Sequence, residues 1–235
     1  AIDVSTSMLA EDLKPNRLEA AKDVAAEFIN GRPNDNIGIT LFAGETFTQC
    51  PLTVDHAVLL DMIHNIKCGL ITDGTAVGMG IANAVTRLKD SKAKSKVIIL
   101  LTDGTNNKGD ISPMTAAEIA KSFGIRVYTI GVGTNGMAPY PYPVGNTVQY
   151  VSMPVEIDEK TLTEIAGTTD GNYFRATSNS KLKEVYEEID KLEKTKLNVK
   201  EYSKRDEEYH WFALAAFLCV LLEVLLRNSV LKKIP

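Results

Sequence analysis

Three residues near the start of the chain, Asp3, Ser5 and Ser7, occupy alternate positions in the segment AIDVSTSM. Ala1 and Ile2 before them are typical of the end of a buried strand. Because side chains alternate along extended backbone, this spacing directs three oxygen-bearing side chains toward one point as the strand becomes a loop. A carboxylate and two hydroxyls are hard ligands, and they suit a cation such as Mg²⁺.

Two further loops offer oxygen donors where the same sheet edge is predicted. The tripeptide DGT at residues 73–75 opens a predicted helix, and Asp103 follows the apolar run VIILLT at residues 97–102. Ligands of open α/β sheets bind outside the carboxyl ends of the strands. Asp73 is more simply explained as a helix cap, which leaves Asp3 and Asp103 for a ligand. With no histidine or cysteine nearby, the donor set predicts Mg²⁺, or Mn²⁺ or Ca²⁺, rather than zinc or copper.

The elements that must position these residues alternate between strand and helix patterns. Apolar residues at helical spacing predict helices at residues 15–30, 55–66 (capped by Asp55), 75–88, 113–123, 160–166 and 180–197. Short apolar or alternating runs predict strands at residues 97–102, 125–132 and 173–176, and two strands joined by a tight turn at residues 37–49. The alternation predicts an α/β fold with a doubly wound, mainly parallel sheet flanked by helices. The Pro- and Gly-rich residues 136–154 break this rhythm and are predicted to form a surface loop.

The C-terminal segment WFALAAFLCVLLEVLL, residues 211–226, is apolar apart from Glu223. It is short for a membrane span, which needs about 20 apolar residues. Aromatic residues before it and basic residues after it are nevertheless typical of a span, and we predict a transmembrane helix at residues 210–227. A buried core helix is the alternative. The basic flank would place residues 228–235 in the cytoplasm and the preceding domain on the periplasmic side of a bacterial inner membrane.

These patterns divide the chain into four predicted parts. The first is an α/β domain at residues 1–198, whose first strand we expect to be truncated at its N-terminus. A juxtamembrane linker at residues 199–209, the transmembrane helix at residues 210–227 and a short basic tail at residues 228–235 follow it. The formal net charge of −4, with no basic stripe, argues against a nucleic-acid partner. No CxxC spacing is present, and Cys50 and Cys68 could either pair in an oxidising compartment or stay free.

The segment DVSTS matches the DxSxS signature of von Willebrand factor A (VWA) domains, and the threonine of DGT and the aspartate of LLTDG follow in order. This resemblance covers about residues 1–197 and implies a Rossmann-like fold with a metal-ion-dependent adhesion site (MIDAS). The hydroxyls would bind the metal, and the carboxylates would coordinate it directly or through water. The residues implied as metal ligands are Asp3, Ser5, Ser7, Thr75 and Asp103.

Four longer segments resemble the BatA-type proteins of bacterial aerotolerance operons: LKPNRLEAAK, CGLITDGTAVGMGIANAVTRLKDS, KSKVIILLTDGTNNKG and GIRVYTIGVGTNGMAPYP. The usual layout of that family is membrane helices, a periplasmic A domain and a final membrane helix. The resemblance implies an envelope complex whose partners are sister VWA proteins, tetratricopeptide proteins and a MoxR-type AAA+ ATPase.

The function predicted is that of a membrane-anchored binding module and not of an enzyme. A cation held largely by hydroxyls is short of negative charge, so it would attract an acidic group of a protein partner. The alternative is a metal-dependent phosphate-ester hydrolase that uses Asp3 or Asp103. Ser5 lacks both the G-x-S-x-G elbow of a nucleophilic serine and a convincing histidine base. It also stands where haloacid dehalogenase-like enzymes need the second aspartate of DxDx(T/V).

Overall fold

The computed structural model describes residues 1–145 and 147–202 and, further on, residues 213–214, 216–217, 220, 222–224 and 226. The strands within this part of the chain are β1 (Ile2–Asp3), β2 (Ile37–Phe42), β3 (Thr46–Thr53), β4 (Lys96–Thr102), β5 (Ile125–Val132), β6 (Met137–Val144), β7 (Thr147–Pro154) and β8 (Tyr173–Ala176). The helices are α1 (Arg17–Asn30), α2 (His56–His64), α3 (Val77–Leu88), α4 (Pro113–Ser122), α5 (Glu159–Thr168) and α6 (Asn179–Tyr202), and a 3₁₀ turn covers Thr6–Leu9.

Polar caps set where the helices begin. The side chain of Asn16 accepts a hydrogen bond from the N–H of Glu19 over 2.8 Å, which starts α1. The predicted cap of α2 is confirmed, because the Asp55 carboxylate accepts a hydrogen bond from the N–H of Val58 over 3.2 Å. These caps end the preceding loops at defined points and so hold the helices in place beside the sheet.

Six strands form one sheet in the order β3-β2-β1-β4-β5-β8. β3 pairs antiparallel with β2, and the other neighbours are parallel. The chain passes from β1 to β2 on one side and returns later to β4 on the other. The strand order therefore reverses between β1 and β4, and a crevice opens there at the carboxyl ends of the strands.

Helices cover both faces of the sheet. On one face, α1, α2 and α6 bury residues such as Leu18, Ile63 and Val185 against the strands. On the other, α3, α4 and α5 do the same with residues such as Ile81 and Ile165. The predicted doubly wound, mainly parallel α/β fold is confirmed.

The prediction of a surface loop at residues 136–154 is wrong. The strands β6 and β7 pair antiparallel as a hairpin that is separate from the main sheet. Prolines occur at alternate positions of β6, namely Pro139, Pro141 and Pro143. A proline has no N–H to donate, but a strand needs only every second residue to bond its neighbour on one side. Composition therefore indicated a loop where the spacing of the prolines permits a strand.

The chain divides into two compact units, Ala1–Glu193 and Lys194–Pro235. No helix among the described residues is both long enough and apolar enough to cross a membrane. Within the predicted span at 210–227, residues 210–212, 215, 218–219, 221, 225 and 227 lie outside the described part of the chain. The transmembrane helix stays a prediction.

Candidate metal centre

The crevice between β1 and β4 brings two aspartates to the same sheet edge. Ile2 of β1 pairs with Leu101 of β4, and the two strands run parallel. Asp3 is the last residue of β1, and Asp103 follows directly after β4. Asp3 and Thr102 are 99 residues apart in the sequence, yet the Thr102 hydroxyl donates a hydrogen bond to Asp3 Oδ2 over 2.6 Å.

A continuous chain of hydrogen bonds joins four of the predicted ligands. The N–H of Ser5 donates to Asp3 Oδ1 over 2.9 Å. The hydroxyl oxygens of Ser5 and Ser7 lie 2.9 Å apart, and the Ser7 hydroxyl donates to Asp103 Oδ1 over 2.7 Å. The alternation of Asp3, Ser5 and Ser7 therefore places their oxygens on one side of the loop, as the sequence predicted.

The fifth predicted ligand, Thr75, reaches the same place from the loop before α3. Its N–H donates to Asn107 Oδ1 over 2.9 Å, and the N–H of Asn107 donates to the Thr75 carbonyl over 3.0 Å. A Cβ atom added to Gly104 would lie 3.3 Å from the Thr75 hydroxyl oxygen. The hydroxyl thus lies against the loop that carries Asp103, and the structure brings all five predicted residues into one cluster.

Burial within the cluster is graded. Asp3 is 0% and Asp103 2% exposed, and Ser5 and Thr75 are also buried. Ser7, by contrast, is exposed. The cluster is therefore closed at its carboxylate end and open to solvent at Ser7.

The two buried carboxylates oppose each other's ionisation. Burial, together with the charge of Asp103, raises the pKa of Asp3 to about 7. Burial also raises the pKa of Asp103, although the charge and hydrogen bond of Arg17 act in the other direction. Two carboxylates that share a site disfavour the doubly charged form, and a bound cation would favour it.

The donors fit a hard divalent cation. All are oxygens, of which two belong to carboxylates and three to hydroxyls, as Mg²⁺, Mn²⁺ or Ca²⁺ prefer. Among the described residues, no group of three or more His, Cys, Asp and Glu side chains could hold a metal ion. The cluster differs from such a group because hydroxyls supply most of its donors.

The arginine of the segment PNRLEAAK, Arg17, belongs to the cluster although no role there was predicted for it. Its Nη1 donates to Asp103 Oδ2 over 2.7 Å, and its Nε and Nη2 donate to the two carboxylate oxygens of Asp12 over 2.7 and 2.6 Å. The side chains of Arg17, Asp12 and Asp103 are all buried. Asp12 also accepts a hydrogen bond from the N–H of Thr134 over 2.8 Å. This ion network joins the loops that follow β1, β4 and β5.

The helical pattern of α1 contained a signal for Arg17. Arg17 precedes Ala21 by four residues and Val24 by seven, and all three are buried on the same face of the helix. An arginine on the buried face of an amphipathic helix needs an acidic partner, because an unpaired buried charge is costly. The pattern could have identified Arg17, but it could not have identified Asp103 as the partner.

The interpretation of Asp73 as a helix cap is wrong. α3 begins at Val77, and the Asp73 carboxylate instead accepts hydrogen bonds from the N–H and the hydroxyl of Thr6, over 3.0 and 2.8 Å. Thr6 lies between the two serines of the cluster, so Asp73 holds the DVSTS loop against the loop that carries Thr75. Asp73 therefore supports the site from outside it.

Cys50 and Cys68 are both free, so the two residues do not form the disulfide that the sequence left open. The Cys68 thiol donates to the carbonyl of Ser5 over 3.4 Å. Burial and the negative charges of Asp3 and Asp103 raise the pKa of this thiol to about 12. Since the thiolate is the form that binds metals and reacts, Cys68 is an inert neighbour of the site.

Two solved structures share the fold of most of this chain. BatB from Bacteroides thetaiotaomicron is 34% identical, with a TM-score of 0.71, over 82% of this chain and 96% of that one. An aerotolerance-related membrane protein from Bacteroides fragilis is 34% identical, with a TM-score of 0.69, over 81% of this chain and 96% of that one. A more distant structure, proximal thread matrix protein 1 from the mussel byssus with a zinc-occupied MIDAS motif, is 25% identical, with a TM-score of 0.62, over 81% of this chain and 43% of that one.

The von Willebrand factor type A domain model matches residues 1–188. A UPF0353 protein of Mycolicibacterium paratuberculosis is 33% identical over 79% of this chain, which spans 56% of that relative's length. The chain belongs to the von Willebrand factor type A domain family. Its likeness to BatB and to the aerotolerance-related protein also confirms the resemblance to Bat-type proteins.

We predict that Arg17→Met destabilises the domain by about 3–5 kcal/mol, because it removes the cation between two buried carboxylates and leaves both unpaired. Urea unfolding in the presence of a chelator measures the change. Lys183→Met is the control, since Lys183 pairs with Glu27 at the surface, where both side chains are at least half exposed. Equal, small effects of the two substitutions would contradict the role assigned to Arg17.

We predict that the contribution of Asp12 to stability depends on pH. Burial alone would raise the pKa of Asp12, but hydrogen bonds from Arg17 and Thr134 outweigh it and lower the pKa to about 2 from an unfolded value of 3.8. A lowered folded pKa contributes stability that is present above the unfolded pKa and is lost as pH falls through the folded one. The wild-type chain should therefore be more stable than Asp12→Asn at pH 7, and the difference should shrink between about pH 4 and pH 2. Urea unfolding of both chains across this range tests the prediction, and a difference that widens on acidification would refute it.

Proposed function

We propose that this chain is a membrane-associated interaction module that binds a divalent cation through Asp3, Ser5, Ser7, Thr75 and Asp103. The cation, Mg²⁺ or else Mn²⁺ or Ca²⁺, supplies a positive charge that attracts an acidic group of a protein partner. The observation that carries the proposal is the run of hydrogen-bonded residues from buried Asp3 through Ser5 and Ser7 to buried Asp103.

The distribution of charge in the cluster supports binding of an acidic group from a partner protein. Arg17 already engages one oxygen of Asp103, and it is shared with Asp12. The three hydroxyl donors carry no charge, so a divalent cation in this cluster would keep affinity for another anion. Ser7 is the exposed member, and a partner carboxylate would therefore approach from its side.

The relatives support the setting that we propose. The Bacteroides fragilis relative is an aerotolerance-related membrane protein. We propose that this chain acts at a bacterial inner membrane, anchored at residues 210–227 with its VWA domain on the periplasmic side. Its partners there would be sister VWA or tetratricopeptide proteins and a MoxR-type AAA+ ATPase.

The hydrolase alternative is less well supported. A nucleophilic aspartate of the haloacid dehalogenase type is followed two residues later by a second aspartate, whereas Ser5 occupies that position here. The carboxylate of Asp103 is paired with the buried guanidinium of Arg17. We therefore favour the interaction module.

We predict that Mg²⁺ or Mn²⁺ raises the melting temperature of the wild-type chain and that Asp3→Asn and Ser7→Ala reduce this response. A ligand that binds only the folded state stabilises it by about 2.7 kcal/mol at about 100 times its Kd. Asp3→Asn removes charge at nearly constant shape, and Ser7→Ala removes one exposed hydroxyl, so both variants should fold. A thermal-shift titration of each chain, started from chelator-treated protein, measures the effect.

The matched control is Ser122→Ala. Ser122 is also exposed, and its hydroxyl bonds only the carbonyl of Ile119 within α4. This variant should respond to metal as the wild type does. An unchanged metal response in Asp3→Asn would overturn the proposed site.

We predict that capture of a protein partner requires both the cation and its ligands. Solubilised membranes are passed over the immobilised full chain in Mg²⁺ or in chelator, and bound proteins are quantified for wild type, Asp3→Asn and Ser122→Ala. A partner should be enriched with wild type and Ser122→Ala in Mg²⁺ and depleted in the other conditions. If no protein follows this pattern, while Mg²⁺-dependent hydrolysis of a phosphate ester is lost in Asp3→Asn, the hydrolase replaces the interaction module.

A further inference from the structure

The β6–β7 hairpin differs in composition from the rest of the domain. Residues 136–154 include no Asp, Glu, Lys, Arg or His, in a chain that is 24% charged. All eight residues of β7 are exposed, and Val148 and Tyr150 are 58% and 61% exposed. A two-stranded ribbon is at best marginally stable alone, and an exposed, uncharged strand edge is a template for further strand pairing. The exposed edges of the hairpin are therefore candidate sites for pairing with another strand.

The two outer edges of the hairpin are not equivalent. Pro139 pairs with Ser152, Pro141 with Tyr150 and Pro143 with Val148. In an antiparallel pair, every second residue points its N–H and C=O away from the partner strand. The carbonyl of Pro139 accepts a hydrogen bond from the N–H of Glu11 over 2.8 Å, which shows that the Pro139 backbone points outward.

The outer edge of β6 is therefore closed to another strand. The three prolines share the same alternation, so the outward positions of β6 from 139 to 143 have no N–H to donate. Glu11 also covers part of this edge. Prolines at such positions are one way in which proteins block edge-to-edge pairing.

The outer edge of β7 is open from Val148 to Ser152. Val148, Tyr150 and Ser152 stand opposite the three prolines, so their N–H and C=O groups also point outward, but from the other side of the hairpin. Within residues 1–145 and 147–202, no backbone hydrogen bond joins these three residues to anything beyond the hairpin. The side chain of Tyr150 does donate to Glu11 Oε1 over 3.0 Å, which steadies the strand without occupying its edge.

We propose that β7 is a dimerisation strand, on which β7 of a second copy of this chain pairs antiparallel with Tyr150 at the two-fold axis. The outward groups of β7 are self-complementary, because a two-fold axis at Tyr150 brings a second β7 into antiparallel register. In this register Tyr150 lies opposite Tyr150 of the partner subunit, and Val148 lies opposite the partner's Ser152. Each outward N–H then meets an outward C=O, and the two hairpins form one four-stranded sheet.

Charge supports the same occupant. In an isologous interface the residue at the two-fold axis meets its own copy, so a charged residue there would face a like charge. β7 carries none. The dimer would form without a metal ion. A failure of the proposed metal site would therefore not contradict the dimer, and a failure of the dimer would not contradict the metal site.

A register-specific crosslink tests the pairing. Directly opposed residues of a hydrogen-bonded antiparallel pair have Cα atoms about 5.5 Å apart, within the range of a disulfide. Tyr150→Cys in the full chain should therefore oxidise to a covalent dimer on a non-reducing gel. Two copies of Gln149→Cys would be diagonal neighbours about 7–8 Å apart and should give little dimer. The wild-type chain measures the background from its native cysteines.

A second pair of variants tests the edge itself. Ser152→Pro removes one outward N–H, as the natural prolines of β6 do, and Ser152→Ala keeps it. By sedimentation velocity of the full chain, Ser152→Pro should weaken dimerisation at least about tenfold, whereas Ser152→Ala should leave it within about threefold. Circular dichroism checks that both variants fold. Equal crosslinking of the two cysteine variants, a monomeric wild type, or a Ser152→Pro dimer as tight as wild type would each overturn the proposal.

Discussion

The burial of two carboxylates side by side, Asp3 and Asp103, is the constraint on which the rest of the site depends. The parallel pairing of β1 and β4 places them at adjacent strand ends, where little water reaches them. Their mutual repulsion must be offset within the protein, and the guanidinium of Arg17 does so only in part because Asp12 shares it. An excess of negative charge remains beside the hydroxyls of Ser5 and Ser7. A divalent cation bound there would balance this charge.

The same ion network organises the surrounding loops. Asp12 binds Thr134 after β5, and Arg17 anchors the first turn of α1. Glu11, next to Asp12, bonds the hairpin at both Pro139 and Tyr150. The site and the hairpin thus share a short connecting segment at residues 11–12.

Sequence reasoning located the site because its residues carry their own pattern. Oxygen donors at alternate positions after an apolar strand indicate a cation site. The loops that carry Thr75 and Asp103 follow in the order expected for it. The same reasoning was wrong for Asp73 and for residues 136–154. Asp-Gly before a helix is usually a cap or a turn, and alternate prolines usually indicate a loop. In both cases a partner distant in sequence decided the outcome: Thr6 for Asp73, and β7 for β6.

The sequence by itself determined the α/β alternation, the family and the five residues predicted as oxygen donors, because these depend on local periodicity and on residue chemistry. Only the tertiary structure decided that Arg17 is shared between Asp103 and Asp12, that Cys68 is a partly buried free thiol, and that one edge of the hairpin is open while the other is closed. Such features depend on which distant residues meet in three dimensions. The free energy of a buried charge or of an unpaired strand edge is set by those neighbours and not by the order of residues along the chain.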